Sequence, residues 1–289
     1  MKVSGFTFIR NAQKFDYPIV EAISSILPLC DEVVVCVGSS DDDTRKMVEA
    51  IPSEKIKIVD SVWDDTLREG GHVLAQETDK AFAAVAPDAD WAFYIQGDEV
   101  LHEKDIPAVR QAMERYKDDQ RVEGLLLKYL HFYGSYDYLG NSRSWYQHEI
   151  RVVRARKPIY SYRDAQGFRI DGRKLRVKKV DAFIYHYGWV KPPKFQQAKA
   201  AKFHRMWHDD AWIAQHVADV EEFDYSKIDA LKLFEGAHPR VMQERIARMS
   251  WTFTFDVTKK RFSFKDRCLH RLERLTGRRW FEYKNYHVI

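Results

Sequence analysis

The stretch Trp91-Ala92-Phe93-Tyr94-Ile95-Gln96-Gly97-Asp98-Glu99-Val100 decides how this chain is read. Five consecutive apolar or aromatic residues suit a strand buried on both faces, as in a parallel sheet covered by helices. A polar Gln-Gly-Asp-Glu turn follows at once. Working back toward the N-terminus, the same strand-then-helix unit recurs three times. Val3 to Ile9 reads as a strand, after which Asp16 and Pro18 open a helix with Ile19, Ala22, Ile23 and Ile26 at helical spacing, ending near Pro28. Val33 to Val37 is a second strand, followed by the polar turn Gly38 to Thr44 and a short helix carrying Met47 and Val48. Ile56 to Val59 is a third, followed by a helix from Val73 to Val85. The alternation predicts an α/β fold with a mixed, mainly parallel sheet flanked by helices.

Beyond Glu99 the alternation weakens. Asp105 and Pro107 start a helix with Ile106, Val109, Met113 and Tyr116 on one face, and Leu125 to Leu130 reads as a strand. Tyr133 to Tyr146, rich in Gly, Ser, Asn and Tyr, is expected to be a loop whose rings could meet a ligand. Glu149 to Val153 and Val180 to His186 read as further strands. From Lys191-Pro192-Pro193 onward the pattern is mostly helical, best in Phe195 to Val217 and Pro239 to Met249. This punctuation divides the chain into residues 1–190 and a mostly helical C-terminal extension, 191–289.

Composition narrows the function. Of 289 residues, 45% are hydrophobic and 14% aromatic, enough for a large core with rings left over for a cleft. A net charge of +4 is too small for a chain that binds nucleic acid throughout. The basic residues gather between Val257 and Lys284, where ten Lys or Arg stand against three acids and alternate with Phe262, Phe264, Leu269, Leu272, Leu275, Trp280 and Phe281. That segment suits peripheral contact with an anionic membrane, or docking on the rest of the protein with its charges in water. Cys30, Cys36 and Cys268 show no CxxC spacing, so neither a disulfide framework nor a thiolate metal knuckle is indicated. The apolar stretch before Arg10 is too short for a signal-peptide core, and no run approaches the roughly 18 residues of a membrane span. The expected location is the cytoplasm, with the inner face of the membrane in reach of the basic segment.

In open α/β sheets ligands bind beyond the carboxyl ends of the strands. That rule selects Phe8 to Asn11, Gly38 to Thr44, the loop before Val73, and Gln96 to Glu99. Neither GxGxxG nor GxxxxGK[ST] occurs at any of them, so dinucleotide binding and P-loop hydrolysis lack their phosphate cradle. Asp98 and Glu99 suit a divalent cation bridging a diphosphate, or caps for the next helix. Ser39, Ser40, Asp41 and Asp43 suit a base or ribose, or a helix N-cap. His204 and His208 have the i, i+4 spacing of a zinc motif, but Arg205 stands where the general-base Glu belongs, so they read as a solvated helix face.

Together, Phe6-Thr7-Phe8-Ile9-Arg10-Asn11, the Gly-Ser-Ser-Asp turn, the Trp63 to Gly71 segment and Gln96-Gly97-Asp98-Glu99-Val100 resemble the family 2 glycosyltransferases of the GT-A fold. Tyr185-His186-Tyr187-Gly188-Trp189-Val190-Lys191-Pro192-Pro193 and Phe234 to Pro239 resemble a bacterial subgroup of that family. The resemblance implies an inverting glycosyltransferase using a nucleotide-diphospho-sugar donor, a divalent cation (Mn²⁺ or Mg²⁺) and a glycan or lipid-linked acceptor in cell-surface polysaccharide synthesis. It implies that Phe8, Arg10, Asn11, Ser40 and Asp41 line the nucleoside pocket; Gln96 is a further donor-side candidate, and Arg169 and Lys191 suit contact with a diphosphate or a solvated surface. Asp98 matches the last acid of the Asp-x-Asp motif, whose first acid is replaced by Gln96, and His186 is the candidate to complete the metal shell. Inverting transfer needs a base for the acceptor hydroxyl. Asp164, in a polar turn, is the first choice, with Asp171 and Glu149 as alternatives. Two other readings stay open. A sugar nucleotidyltransferase would share the fold but needs glycines after Phe8 that are missing, whereas Gln96 is compatible with a binding protein that has lost its chemistry.

Overall fold

A computed structural model describes residues 1–67, 70–216 and 220–289. Arg68 and Glu69 of the Trp63 to Gly71 segment, and Val217 at the end of the expected long helix, lie outside the described residues. The first half follows β1 (Val3–Ile9), α1 (Ile19–Ile26), β2 (Glu32–Gly38), α2 (Thr44–Glu49), β3 (Ile56–Ser61), α3 (His72–Ala83) and β4 (Trp91–Tyr94). Its four strands lie in the parallel order β3-β2-β1-β4, so their carboxyl ends share one edge. Pro18 caps α1, and Ile19, Ala22, Ile23 and Ile26 are buried at the spacing the sequence predicts. They join Val33, Val35 and Trp91 in one core layer. The opposite face of the sheet buries Phe6, Val34, Cys36 and Tyr94 against Phe82 of α3 and Phe168.

The sheet continues with β5 (Glu99–Leu101), α4 (Ile106–Tyr116), β6 (Gly124–Tyr133), β7 (Ser135–Gly140) and β8 (His148–Arg154). β8 runs antiparallel to both β4 and β6. β9 (Ile159–Ser161), β10 (Phe168–Ile170) and β11 (Arg173–Lys174) form a separate three-stranded sheet, and the long β12 (Arg176–Trp189) then runs parallel to β6. The expected loop from Tyr133 to Tyr146 is therefore corrected. Gly134 turns the chain at φ +73, and β7 pairs back on β6 with Tyr136 and Tyr138 buried. Tyrosine suits a pleated, half-buried surface as well as a loop, which is why composition alone misled.

After residue 191 come α5 (Pro193–Arg205), α6 (Asp210–His216), β13 (Leu231–Leu233), α7 (Gln243–Ala247), α8 (Phe264–Thr276) and β14 (His287–Val288). The single helix expected from Phe195 onward is broken between Arg205 and Asp210. Irregular segments separate these helices, and residues 191–289 also lend strands to the main sheet, β13 against β7 and β14 against β12.

Candidate active site at the strand ends

A cleft of about 1030 Å³ opens at the carboxyl ends of β1 and β4, where an α/β sheet is expected to bind ligands. Its floor carries Phe8, Arg10, Asn11, Gln96 and Asp98. β8, the 162–167 turn and the end of β12 supply further walls, and α5 and the α8 region close the remaining side.

Asp98 is buried, and its Oδ2 lies 3.8 Å from Nε2 of His186 and 3.0 Å from Nζ of Lys199 on α5. Burial works to raise the Asp98 pKa, but the ammonium of Lys199 beside it outweighs that and holds the carboxyl well below the usual range. A Cβ on Gly188 would come within 2.6 Å of both Asp98 Oδ2 and His186 Nε2, so glycine keeps this space open.

Hydrogen bonding fixes which nitrogen of His186 faces that space. His131 Nε2 lies 2.8 Å from the Tyr146 carbonyl, an acceptor only, so this nitrogen must donate. Burial drives the His131 pKa well down, so the ring is neutral and its Nδ1 accepts. The partner at 3.1 Å, His186 Nδ1, must then be the donor. Burial also lowers the His186 pKa, against the pull of Asp98 and Glu99, leaving Nε2 with a lone pair. A carboxylate oxygen and an imidazole lone pair thus converge beside Gly188, a donor set that fits a divalent cation completed by diphosphate oxygens. Among the described residues no group of three or more His, Cys, Asp or Glu could hold a metal by itself.

Glu99 is absent from this cleft. It takes a bidentate ion pair from Arg151, Nε at 2.8 Å and Nη2 at 2.6 Å, and a hydrogen bond from the Tyr129 hydroxyl at 2.7 Å. This buried network fixes the turn that presents Asp98.

On the opposite side Phe8 packs against Trp63 with ring centroids 5.7 Å apart, and the Arg10 guanidinium lies over the Trp63 ring at 5.6 Å. Arg10 is held by Asp65 at 2.8 and 3.1 Å and by the Ser39 carbonyl at 3.0 Å. Asn11, at φ +55, accepts through Oδ1 from the Asp41 backbone N–H, and its own N–H donates to Ser40 Oγ. Ser40 and Asp41 therefore stand behind the cleft wall as supports for Asn11, and the Asp41 carboxylate pairs with exposed Lys14. Lys191 also differs from expectation. Its buried ammonium donates to the carbonyls of Phe15 at 2.8 Å and Asp16 at 3.3 Å, away from the cleft. Gln96 does line the cleft, with its amide nitrogen 3.3 Å from the Tyr94 hydroxyl.

Two carboxylates face the cleft from its other wall. Glu149 Oε2 is buried without a hydrogen-bond partner, and burial, with help from Glu99 and Asp164, pushes its pKa up to about 8. Asp164 Oδ1 is likewise buried and unpartnered, and burial raises its pKa. Arg163 and Ala165 flank it at φ +56 and +63, and Gly71, at φ +67, is the only residue type that fits where a Cβ would lie 2.7 Å from that of Asp164. Asp171 is not part of this arrangement. It sits at φ +49 in the exposed turn between β10 and β11, outside the cleft, because a polar Asp-Gly pair there makes a hairpin turn. The sequence reading missed Lys199 and did not single out Trp63 or Asp65. Trp63 was the more accessible, as an aromatic just past a strand end.

The class defined so far is a mixed α/β protein with a polar, aromatic-lined cleft at its strand ends. Among solved structures, the chain is similar to S. aureus TarS 1–349 in complex with UDP, at 13% identity over 70% of this chain and 64% of that one, with a TM-score of 0.42. It is also similar to glucosyl-3-phosphoglycerate synthase from Mycobacterium tuberculosis in complex with Mn²⁺, UDP and phosphoglyceric acid, at 20% identity over 45% of this chain and 43% of that one, with a TM-score of 0.31. The chain thus spans less than two thirds of either protein. No protein-family model matches the chain, and no curated protein matches it.

Proposed function

We propose that the chain is an inverting glycosyltransferase that moves a sugar from a nucleotide-diphospho-sugar to a hydroxyl of a glycan or lipid-linked acceptor. One observation carries the reading. Asp98 Oδ2 and the His186 Nε2 lone pair converge beside Gly188 in the same cleft that holds the unpartnered carboxylate oxygens of Glu149 and Asp164. A donor pair suited to a cation, in the same cleft as candidate bases, supports transfer from a diphosphate.

In this reading Phe8 and Trp63 hold the base, and Arg10 and Asn11 shape the nucleoside end. Asp98 and His186 would hold Mn²⁺ or Mg²⁺, which when bound neutralises charge on the diphosphate. The acceptor oxygen forms its bond to the anomeric carbon as the bond from that carbon to the diphosphate oxygen breaks. The electron pair leaves with the nucleotide, and the acceptor proton passes to Glu149 or Asp164. Glu149 is the stronger candidate, because a carboxylate with a pKa near 8 is a far better proton acceptor than an ordinary one.

A binding protein without turnover is the second reading, supported by the Lys199 ammonium that already neutralises Asp98. Thermal shift with UDP-, GDP-, dTDP- and CMP-sugars, each with Mn²⁺ or EDTA, followed by assay of nucleotide release, separates the two. Ligand at about 100 times its dissociation constant adds roughly 2.7 kcal/mol, or several degrees. The transferase reading expects a selective shift and nucleotide release that Asp98→Ala abolishes. A selective shift without release supports the binding protein, and no shift with any donor overturns both.

A further inference from the structure

The outward face of α8 is the feature that this function leaves unused. Ser263 caps the helix by accepting from the Asp266 N–H at 3.1 Å, and Gly277 ends it at φ +65. Its inner side is anchored. Glu273 accepts from Arg143 at 2.6 Å and Gln147 at 3.3 Å, and Leu269 and His270 line the cleft.

Opposite that anchor, Phe264, Cys268, Leu272 and Leu275 fall on one stripe at helical spacing. Phe264 is 80% exposed and Leu275 78%. Isolated apolar side chains on a surface are ordinary, but this cluster along one helix is a patch that marks a contact site. Arg267, Arg271 and Arg274 border the stripe and are themselves exposed. Apolar side chains ringed by long basic ones match the boundary of an anionic bilayer, where the rings and aliphatic chains enter the acyl edge and the cations meet phosphate. A protein partner of ordinary composition would offer no comparable excess of negative charge. Among the described residues no helix is long and apolar enough to cross a membrane, so the contact is one of lying on the surface.

We propose that the outer face of α8 is a docking surface for anionic phospholipid, and that the same helix, through its inner face, sets the cleft mouth at the bilayer. The lipid contact does not depend on the donor or the reaction.

Co-sedimentation of the full chain with phosphatidylcholine vesicles, and with vesicles also containing phosphatidylglycerol, tests this. Binding is expected only to the anionic vesicles and weakens with added salt. Phe264→Glu/Leu275→Glu and Arg267→Gln/Arg271→Gln/Arg274→Gln should each lower the partition coefficient by about tenfold or more. Because every altered side chain is exposed, each variant should keep the melting temperature of the parent, and that is measured alongside. Failure of the parent chain to bind, or wild-type binding by both folded variants, overturns the proposal. So does a dimer in light scattering that Phe264→Glu/Leu275→Glu dissolves, which would assign the face to a second copy of the chain.

Discussion

The ammonium of Lys199 lies 3.0 Å from Asp98 Oδ2 and 2.9 Å from the Gly188 carbonyl oxygen. α5 thus brings a cation to the carboxylate that the sequence marks for a metal. Burial works to lower the Lys199 pKa, but Tyr17 and Asp98 outweigh it and favour the charged ammonium. A divalent ion that binds Oδ2 must displace this bond, worth about 1.5–3 kcal/mol for a charged pair. Lys199→Met should therefore tighten Mn²⁺ binding to the nucleotide-free protein by about tenfold, as read from the free Mn²⁺ signal in electron paramagnetic resonance. Unchanged affinity would mean that the metal does not use this oxygen.

His131 touches no cleft ligand in this reading, yet it dictates the proton position on His186. His131→Phe removes the acceptor for His186 Nδ1–H and should weaken Mn²⁺ affinity by roughly 10- to 100-fold, as loss of a hydrogen bond behind a ligating histidine does. Circular dichroism should show a folded protein. If affinity is retained, His186 finds its orientation elsewhere.

A base with a pKa of about 8 must lose its proton to work. The rate should climb with pH toward that value and flatten above it, and in Glu149→Gln what remains should not follow that limb. Stability runs the other way. The folded protein keeps this proton up to about pH 8, while the unfolded chain releases it near 4.5, so the folded state loses stability as pH rises between the two values. Glu149→Gln should raise the melting temperature at pH 8 by roughly 3–6 °C and by much less at pH 5. A pH-independent shift would remove Glu149 as the titrating group.

The buried pair of Glu99 and Arg151 is a matter of folding. Glu99→Ala leaves a guanidinium uncompensated in the interior and should cost about 3–5 kcal/mol in urea unfolding. A loss below about 1 kcal/mol would be that of a surface pair and would contradict the burial.

The first half of the fold was legible because a strand covered on both faces has to be apolar along its length, and Val33 to Val37 and Trp91 to Ile95 can be little else. Asp98 and His186 were legible from the ends of such strands and from the family resemblance. Lys199 was not, since its partner lies 101 residues away and a lysine on a polar helix looks like any solvated one. The strands β9 to β11 are too short to show a period. Asp171 and Lys191 illustrate the opposite error, since one serves a hairpin turn and the other serves two backbone carbonyls, neither of which local sequence separates from a role in binding.

Tyr146, whose carbonyl fixes the His131 tautomer, belongs to the same short stretch as Arg143 and Gln147, both held by Glu273 of α8. One clamp therefore governs two things far apart in kind: how the C-terminal helix is seated, and which nitrogen of His186 carries the proton. If α8 lifts and draws the Tyr146 carbonyl off His131, the hydrogen bond between the two rings loses its fixed direction, and the nitrogen that His186 turns toward Gly188 changes character through a clamp outside the pair.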